Sequence, residues 1–163
     1  MIYRTANLED QNKLKLLGLN SYGGLKKYLT EENWKSMERF LAGNHLYPDL
    51  IKISHSFVCE EGSRILGMAF LVPSGNPTKV FPPTTSYIRM VGVDPAAQGK
   101  GIGKKLTNLC IEKAKAIHEK SIMLHTAEVL LKARHIYQQI GFKKIRKLDE
   151  HYGMEYWVYQ LEI

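Results

Sequence analysis

The segment from Tyr87 to Lys105 constrains this chain more than any other, because strand alternation there runs straight into a glycine-rich turn and a helical period. Ile88 and Met90 share one parity, whereas Val91 and Val93 share the other. One extra residue in a strand produces such a slip, so a β-bulge is expected near Met90 and Val91, with backbone groups freed for a ligand. Asp94-Pro95 then stops the strand, since proline cannot donate to the ladder.

Gln98-Gly99-Lys100-Gly101-Ile102-Gly103 places three glycines in five positions before an amphipathic stripe of Ile102, Leu106, Leu109, Cys110, Ala114 and Ile117. Glycine lets the backbone approach a ligand closely, and the first N–H groups of a helix point outward without partners. With the helix dipole they suit a phosphate or pyrophosphate, and Lys100, Lys104 and Lys105 add positive charge. A loop that needs glycine only to turn has the same composition. The spacing is neither the Gly-x-Gly-x-x-Gly of a dinucleotide fold nor the Gly-Lys-Ser/Thr of a Walker loop.

The spacing resembles the coenzyme A pyrophosphate loop of the GCN5-related N-acetyltransferases, with Gln98, Gly101 and Gly103 at its motif positions. Val91-Gly92-Val93-Asp94-Pro95 is similar to that family's strand-to-loop sequence. A second match lies about 30 residues on, where Ala133 to Phe142 resembles the family helix with Ala, Tyr and Gly-Phe at these offsets. The resemblance implies an α/β (α+β) fold: a mixed, mostly antiparallel sheet of about seven strands with about four helices, as one N-acetyltransferase domain over residues 1–163. It weakens between Leu19 and His55.

Composition narrows the function classes. Lys plus Arg number 23 against 16 Asp plus Glu, a net charge of +7 that suits an anionic partner. The lysines are scattered and lack the aromatic interleaving of single-strand binders, so a nucleic-acid module ranks last. Cys59 and Cys110 have no metal-type spacing and read as free thiols of a cytoplasmic protein. No apolar run is long enough to span a membrane, and no metal is expected.

The remaining chain reads in order. Ile2 to Thr5 forms a strand, and Asn7 caps a helix over Leu8 to about Leu19 that points Leu14, Leu17 and Leu16 inward, with Gly18, Gly23 and Gly24 breaking the pattern. Thr30 starts a second helix with Trp34 and Phe40 as core. Ser56–Glu60 and Arg64–Val72 make a hairpin about Glu61-Gly62-Ser63. Ser74 to Thr85 reads as an irregular loop, either a wall near the acceptor or a solvated connection. Ser121–Thr126 is a strand, Leu130 to Ile140 a helix closed by Gly141, and Phe142–Leu148 and Tyr156–Glu162 the closing strands.

The resemblance implies acetyl-coenzyme A as acyl donor and a small-molecule or peptide amine as acceptor, and leaves a homodimer open. Gln98, Gly99, Lys100, Gly101, Ile102, Gly103 and Lys104 would hold the pyrophosphate, while Val91, Gly92 and Val93 would pair with pantetheine like an added strand. The family's thiolate-protonating tyrosine falls on Tyr137, which also lies on the apolar stripe and could be simple core. Two positions depart from the family: Tyr87 stands where many relatives carry Glu, and Leu130 where many carry a pantetheine-binding Asn. The general base stays open among His125, Glu128, His55 and solvent. These departures keep a non-catalytic acyl-coenzyme A-binding domain as the alternative.

Overall fold

The computed structural model describes residues Met1–Ile163 and contains one seven-stranded sheet of order β1-β2-β3-β4-β5-β7-β6. The strands are β1 (Ile2–Thr5), β2 (His55–Glu61), β3 (Arg64–Val72), β4 (Ser86–Val93), β5 (Ser121–Ala127), β6 (Lys143–Lys147) and β7 (Tyr156–Glu162). All neighbours are antiparallel except β4 and β5. Five α-helices flank the sheet: α1 (Gln11–Tyr22), α2 (Glu31–Leu41), α3 (Leu46–Ile53), α4 (Ile102–Ala116) and α5 (Leu131–Ile140). The expected α+β sheet is present, with one helix more than anticipated. None of the helices is long and apolar enough to cross a membrane.

Alternation along the strands divides the core into two layers. Ala69, Leu71, Ile88, Ile122 and Leu124 pack with Ile102, Leu106 and Cys110 of α4 and with Tyr137 of α5. Met68, Phe70, Val72 and Tyr87 point to the other face, against Leu14 and Leu17 of α1 and Tyr47 and Leu50 of α3. Under α2, Trp34, Met37 and Leu41 form a third cluster with Ala127, Met154 and Tyr156. Burying these side chains on both faces, at roughly 1.5–3 kcal/mol each, is what holds the sheet between its helices.

Asn7 does cap the first helical segment, but that segment is a single 3-10 turn, Leu8–Asp10, before α1. Gly18 lies inside α1 rather than ending it, because only a glycine fits there: a Cβ would sit 1.9 Å from the Tyr47 hydroxyl. Leu16 is exposed, one position off the buried stripe, and so is Phe40 of α2, whereas Trp34 is core as expected. Helix α3 was not legible, since it is short and carries Pro48 in its first turn, where proline's missing N–H costs no helical bond.

The Ser74–Thr85 connection is irregular and pinned at several points. Phe81 is buried and stacks on Tyr87 at 4.3 Å, the Tyr87 hydroxyl donates to the Asn76 carbonyl at 2.9 Å, and Arg146 donates to the Val80 carbonyl. It is a wall of the molecule and not a solvated tether.

Candidate active site

The bulge lies where the phase slip places it. Met68 pairs with Gly92 and Phe70 with Arg89, so Met90 and Val91 together oppose Ala69 alone. Met90 takes a left-handed φ of 54°, a conformation rare for a non-glycine residue and one that re-aims the strand. Val91 and Val93 face α4 and are half-buried, while Gly92 faces α1, where a Cβ would meet Ser21 Oγ at 2.7 Å.

Next to this strand the sheet opens. Only Ser86↔Ile122 and Tyr87↔Met123 pair β4 with β5, and Ser86 Oγ donates to the Ser121 carbonyl at 2.7 Å to pin the apex. No β4–β5 pair follows, so the two strands part as they run on and leave a gap that joins the two faces of the sheet.

At the end of β4, Asp94 Oδ1 accepts from the Ala96 N–H at 2.9 Å and caps a 3-10 turn, Pro95–Ala97, while Arg64 pairs with Asp94 at 2.9 Å. Gly99 and Gly101 then adopt φ of 81° and 77°, left-handed values that side-chain-bearing residues rarely take. The six backbone N–H groups from Gly99 to Lys104 donate to no protein acceptor, and the helical ladder starts only with Lys105 N–H to the Gly101 carbonyl at 3.0 Å. Gln98, Gly99, Lys100, Gly101 and Lys104 are exposed around this row of amides. Ile102 is different: its side chain is buried against Gly67 of β3 and anchors the helix end, so only its N–H faces outward. Gly103 has room for a Cβ, which would meet Val93 Cγ2 at an ordinary 3.6 Å. The row is thus a run of amide donors at the positive end of a helix dipole, beside the exposed Lys100 and Lys104. Such an array suits a pyrophosphate, which fits the coenzyme.

The family model described as "Acetyltransferase (GNAT) family" matches residues 26–142, 117 of the 163 residues here. The chain belongs to the GNAT acetyltransferase family. Among similar curated proteins, a mycothiol acetyltransferase of Thermomonospora curvata is 31% identical over 88 residues, which cover 54% of this chain and 27% of that protein. The N-alpha-acetyltransferase 30 of Saccharomyces cerevisiae is 33% identical over 66 residues, 40% of this chain and 38% of that one. The GNAT chain thus spans well under half the length of these relatives. Among solved structures, the PaiA N-acetyltransferase of Thermoplasma acidophilum in complex with coenzyme A superposes with a TM-score of 0.79 over 100% of both chains, at 16% identity.

Tyr137 of the GNAT chain is buried on the α5 side, edge-on to Phe142 at 5.9 Å. Burial pushes its phenol far above the usual value, and Tyr22 and Cys110 push it the same way. Tyr22 belongs to α1 on the opposite face, so the two phenols sense each other across the region where β4 and β5 separate. Tyr22 donates to the Val91 carbonyl at 3.5 Å, and burial raises its pKa to about 12. Both phenols therefore stay protonated at neutral pH.

The three candidate bases separate clearly. His55 is on β2, two strands from the gap, and Glu128 is held by Arg134 and Lys144, each at 3.2 Å. His125 shares the α1 face with Tyr87, stacked on Phe81 and edge-on to Tyr156, both at 5.7 Å. The residue is exposed, although these aromatics flank its ring. Desolvation first, then Arg89 and His151, lower its pKa to about 4, so it is neutral at pH 7. Tyr87 is buried with its hydroxyl already committed to the Asn76 carbonyl, and it offers no carboxylate to the gap. Leu130 precedes α5 as its cap and offers no polar group.

Sequence reasoning missed Tyr22 and Arg89. Neither belongs to a motif, and only the packing of α1 and β4 on one face brings them together.

Proposed function

We propose that this chain is a single N-acetyltransferase domain that moves an acetyl group from acetyl-coenzyme A to a primary amine by direct attack. The row of unpaired amides from Gly99 to Lys104, set beside the open end of the β4–β5 gap, carries this reading. Bound acetyl-coenzyme A supplies an activated thioester to that gap. The Gly99–Lys104 amides and the side chains of Gln98, Lys100 and Lys104 hold its pyrophosphate, and the bulged Val91, Gly92 and Val93 backbone pairs with its pantetheine amides. Backbone N–H groups near Val91 are positioned to stabilise negative charge on the carbonyl oxygen under attack.

Tyr137 holds a proton at its phenolic oxygen for the departing sulfur. A raised pKa weakens the phenol as an acid, by 1.36 kcal/mol for each unit. The same low dielectric raises the thiol as well, because proton transfer there exchanges one buried anion for another. His125, neutral and open to solvent, is the candidate to take the amine's proton through water.

Release of free thiol from acetyl-coenzyme A, measured across a panel of amines, tests the reading. The alternative, a non-catalytic acyl-coenzyme A-binding domain, is favoured by Tyr87 and Leu130, which place no carboxylate or amide at two family positions. It requires cofactor binding with no turnover and indifference to Tyr137→Phe.

A further inference from the structure

The chain contains six arginines, and five of them make hydrogen bonds: Arg4 to Asp10 and Glu60, Arg39 to Ser36, Arg64 to Asp94, Arg134 to Glu128, Arg146 to Val80. Arg89 alone makes none, and it pairs with no carboxylate. The residue is half-buried, and no carboxylate of the chain neutralises it. A guanidinium with no protein partner keeps its fork of donors available to an anion from outside the chain.

The position is specific. Arg89 has the parity of Tyr87 and lies opposite Phe70, hence on the α1 face of β4. The ladder pair Tyr87↔Met123 is the last before the strands part, so Arg89 and His125 are the next residues of that parity, one on each wall of the gap. Tyr22, Tyr87 and His125 all sense the Arg89 charge, and His125 also senses His151. The groups that feel the guanidinium are the phenols of Tyr22 and Tyr87 and the imidazole of His125, and none of them is an anion at neutral pH. Glu128, just past the end of β5, is taken by Arg134 and Lys144, and Asp149 and Glu150 are exposed on the loop that carries His151.

Nor does the charge belong to the amide row. From Arg89 to Val93 the strand rises about 13 Å, and the loop begins only beyond that. An anion at the helix end is out of reach of this side chain.

We infer that Arg89 binds an anionic group, a carboxylate or a phosphate, carried by the acceptor amine itself. The inference rests on the acetyltransferase reading and adds the chemical class of the acceptor: a small zwitterion, with its amine at the gap and its anion on Arg89. The planar guanidinium can take either anion with two parallel hydrogen bonds.

Matched substrate pairs test it: glycine against glycinamide, β-alanine against β-alaninamide, and O-phosphoethanolamine against ethanolamine, followed by thiol release. The expected result is a kcat/KM ratio of about 10–100 in favour of the anionic member of at least one pair, the span of one or two charge-assisted hydrogen bonds. The pair that shows it tells carboxylate from phosphate. In R89Q the ratio should fall toward one, and in R89K it should fall but stay above one, with thermal melting to confirm that each variant is folded. Should R89Q not fold, R89K decides, and an unchanged ratio there overturns the inference. Wild-type turnover with no preference for the anion also overturns it and leaves the acetyltransferase reading standing. No thiol release from any amine overturns both.

Discussion

The two walls of the β4–β5 gap are built by different means. On the side proposed for the donor, the groups free of protein partners are backbone amides of one continuous stretch, Gly99 to Lys104, set by two left-handed glycines and a helix end. On the side proposed for the acceptor the polar groups are side chains from separate elements: Tyr22 of α1, Arg89 of β4 and His125 of β5, with the Ser74–Thr85 wall behind them through Phe81. Backbone recognition tolerates exchange of most side chains nearby, provided the dihedrals survive. Side-chain recognition changes with every substitution. A family can therefore keep one donor while varying acceptors, and the boundary between the two modes here is the bulge at Met90.

The harshest way to break the donor side is at the glycines. Gly101→Val forces a branched residue into φ 77° and should abolish measurable heat of coenzyme A binding while the protein stays folded. Gly103→Glu should do so by charge alone, because the position has room for a side chain. Unchanged calorimetric affinity in both would mean that the amide row is not the phosphate site.

Tyr137→Phe comes next, since it removes a proton and leaves the packing. It should lower kcat by about 10²–10⁴-fold with little change in cofactor Kd, as loss of a general acid does. Full activity in this variant would make Tyr137 a core residue and leave the proton donor unidentified.

A smaller effect probes the acceptor wall. Gly18→Ala drives a methyl into the Tyr47 hydroxyl, which is buried and has no hydrogen-bond partner. The expected cost is about 1–3 kcal/mol in denaturant unfolding, the range for overpacking. Tyr47→Phe alone should be neutral or stabilising, because it deletes an unsatisfied group, and it should rescue Gly18→Ala. If the double variant is no better than Gly18→Ala, then α1 and α3 are not in the contact described.

The smallest effect lies away from the gap, where α1 is tied to the sheet edge. Arg4 bridges Asp10 at 2.8 Å and Glu60 at 2.8 Å, and its guanidinium holds the Asp10 carboxyl below the usual range. A carboxyl depressed in the folded state stabilises above its unfolded value, near 4, and loses that contribution as pH falls through the folded value. His125 acts in the same direction over another window: its lowered pKa means that stability declines as pH drops from about 6.5 toward 4. Arg4→Met should flatten the acid limb below pH 4 and leave the His125 window intact. Identical limbs in both proteins would remove the Arg4–Asp10 pair from the stability balance.

How much of this could be read beforehand depended on sequence distance. The phase slip at Met90 and Val91, the glycine loop, the α4 stripe and Gly141 in its left-handed cap are each set by residues within a turn or two of one another, and each is found in place. Helix α3, the exposure of Leu16 and Phe40, and the need for glycine at position 18 were not legible, because each depends on what packs from elsewhere. The loop from Ser74 to Thr85 was open between wall and tether, and Phe81 stacking on Tyr87 decided it.

By itself the sequence determined the family, the order of the strands and the amide row, since periodicity, bulge and left-handed glycine are local properties that a few neighbouring residues impose. Tertiary structure alone decided the gap and what faces it. Two strand edges part only when Ser86 and Tyr87 pair in register with Ile122 and Met123 and their successors do not. A guanidinium counts as unpaired only after the folded chain has brought its other charges near it or kept them away, and interactions of that range leave no period in the sequence.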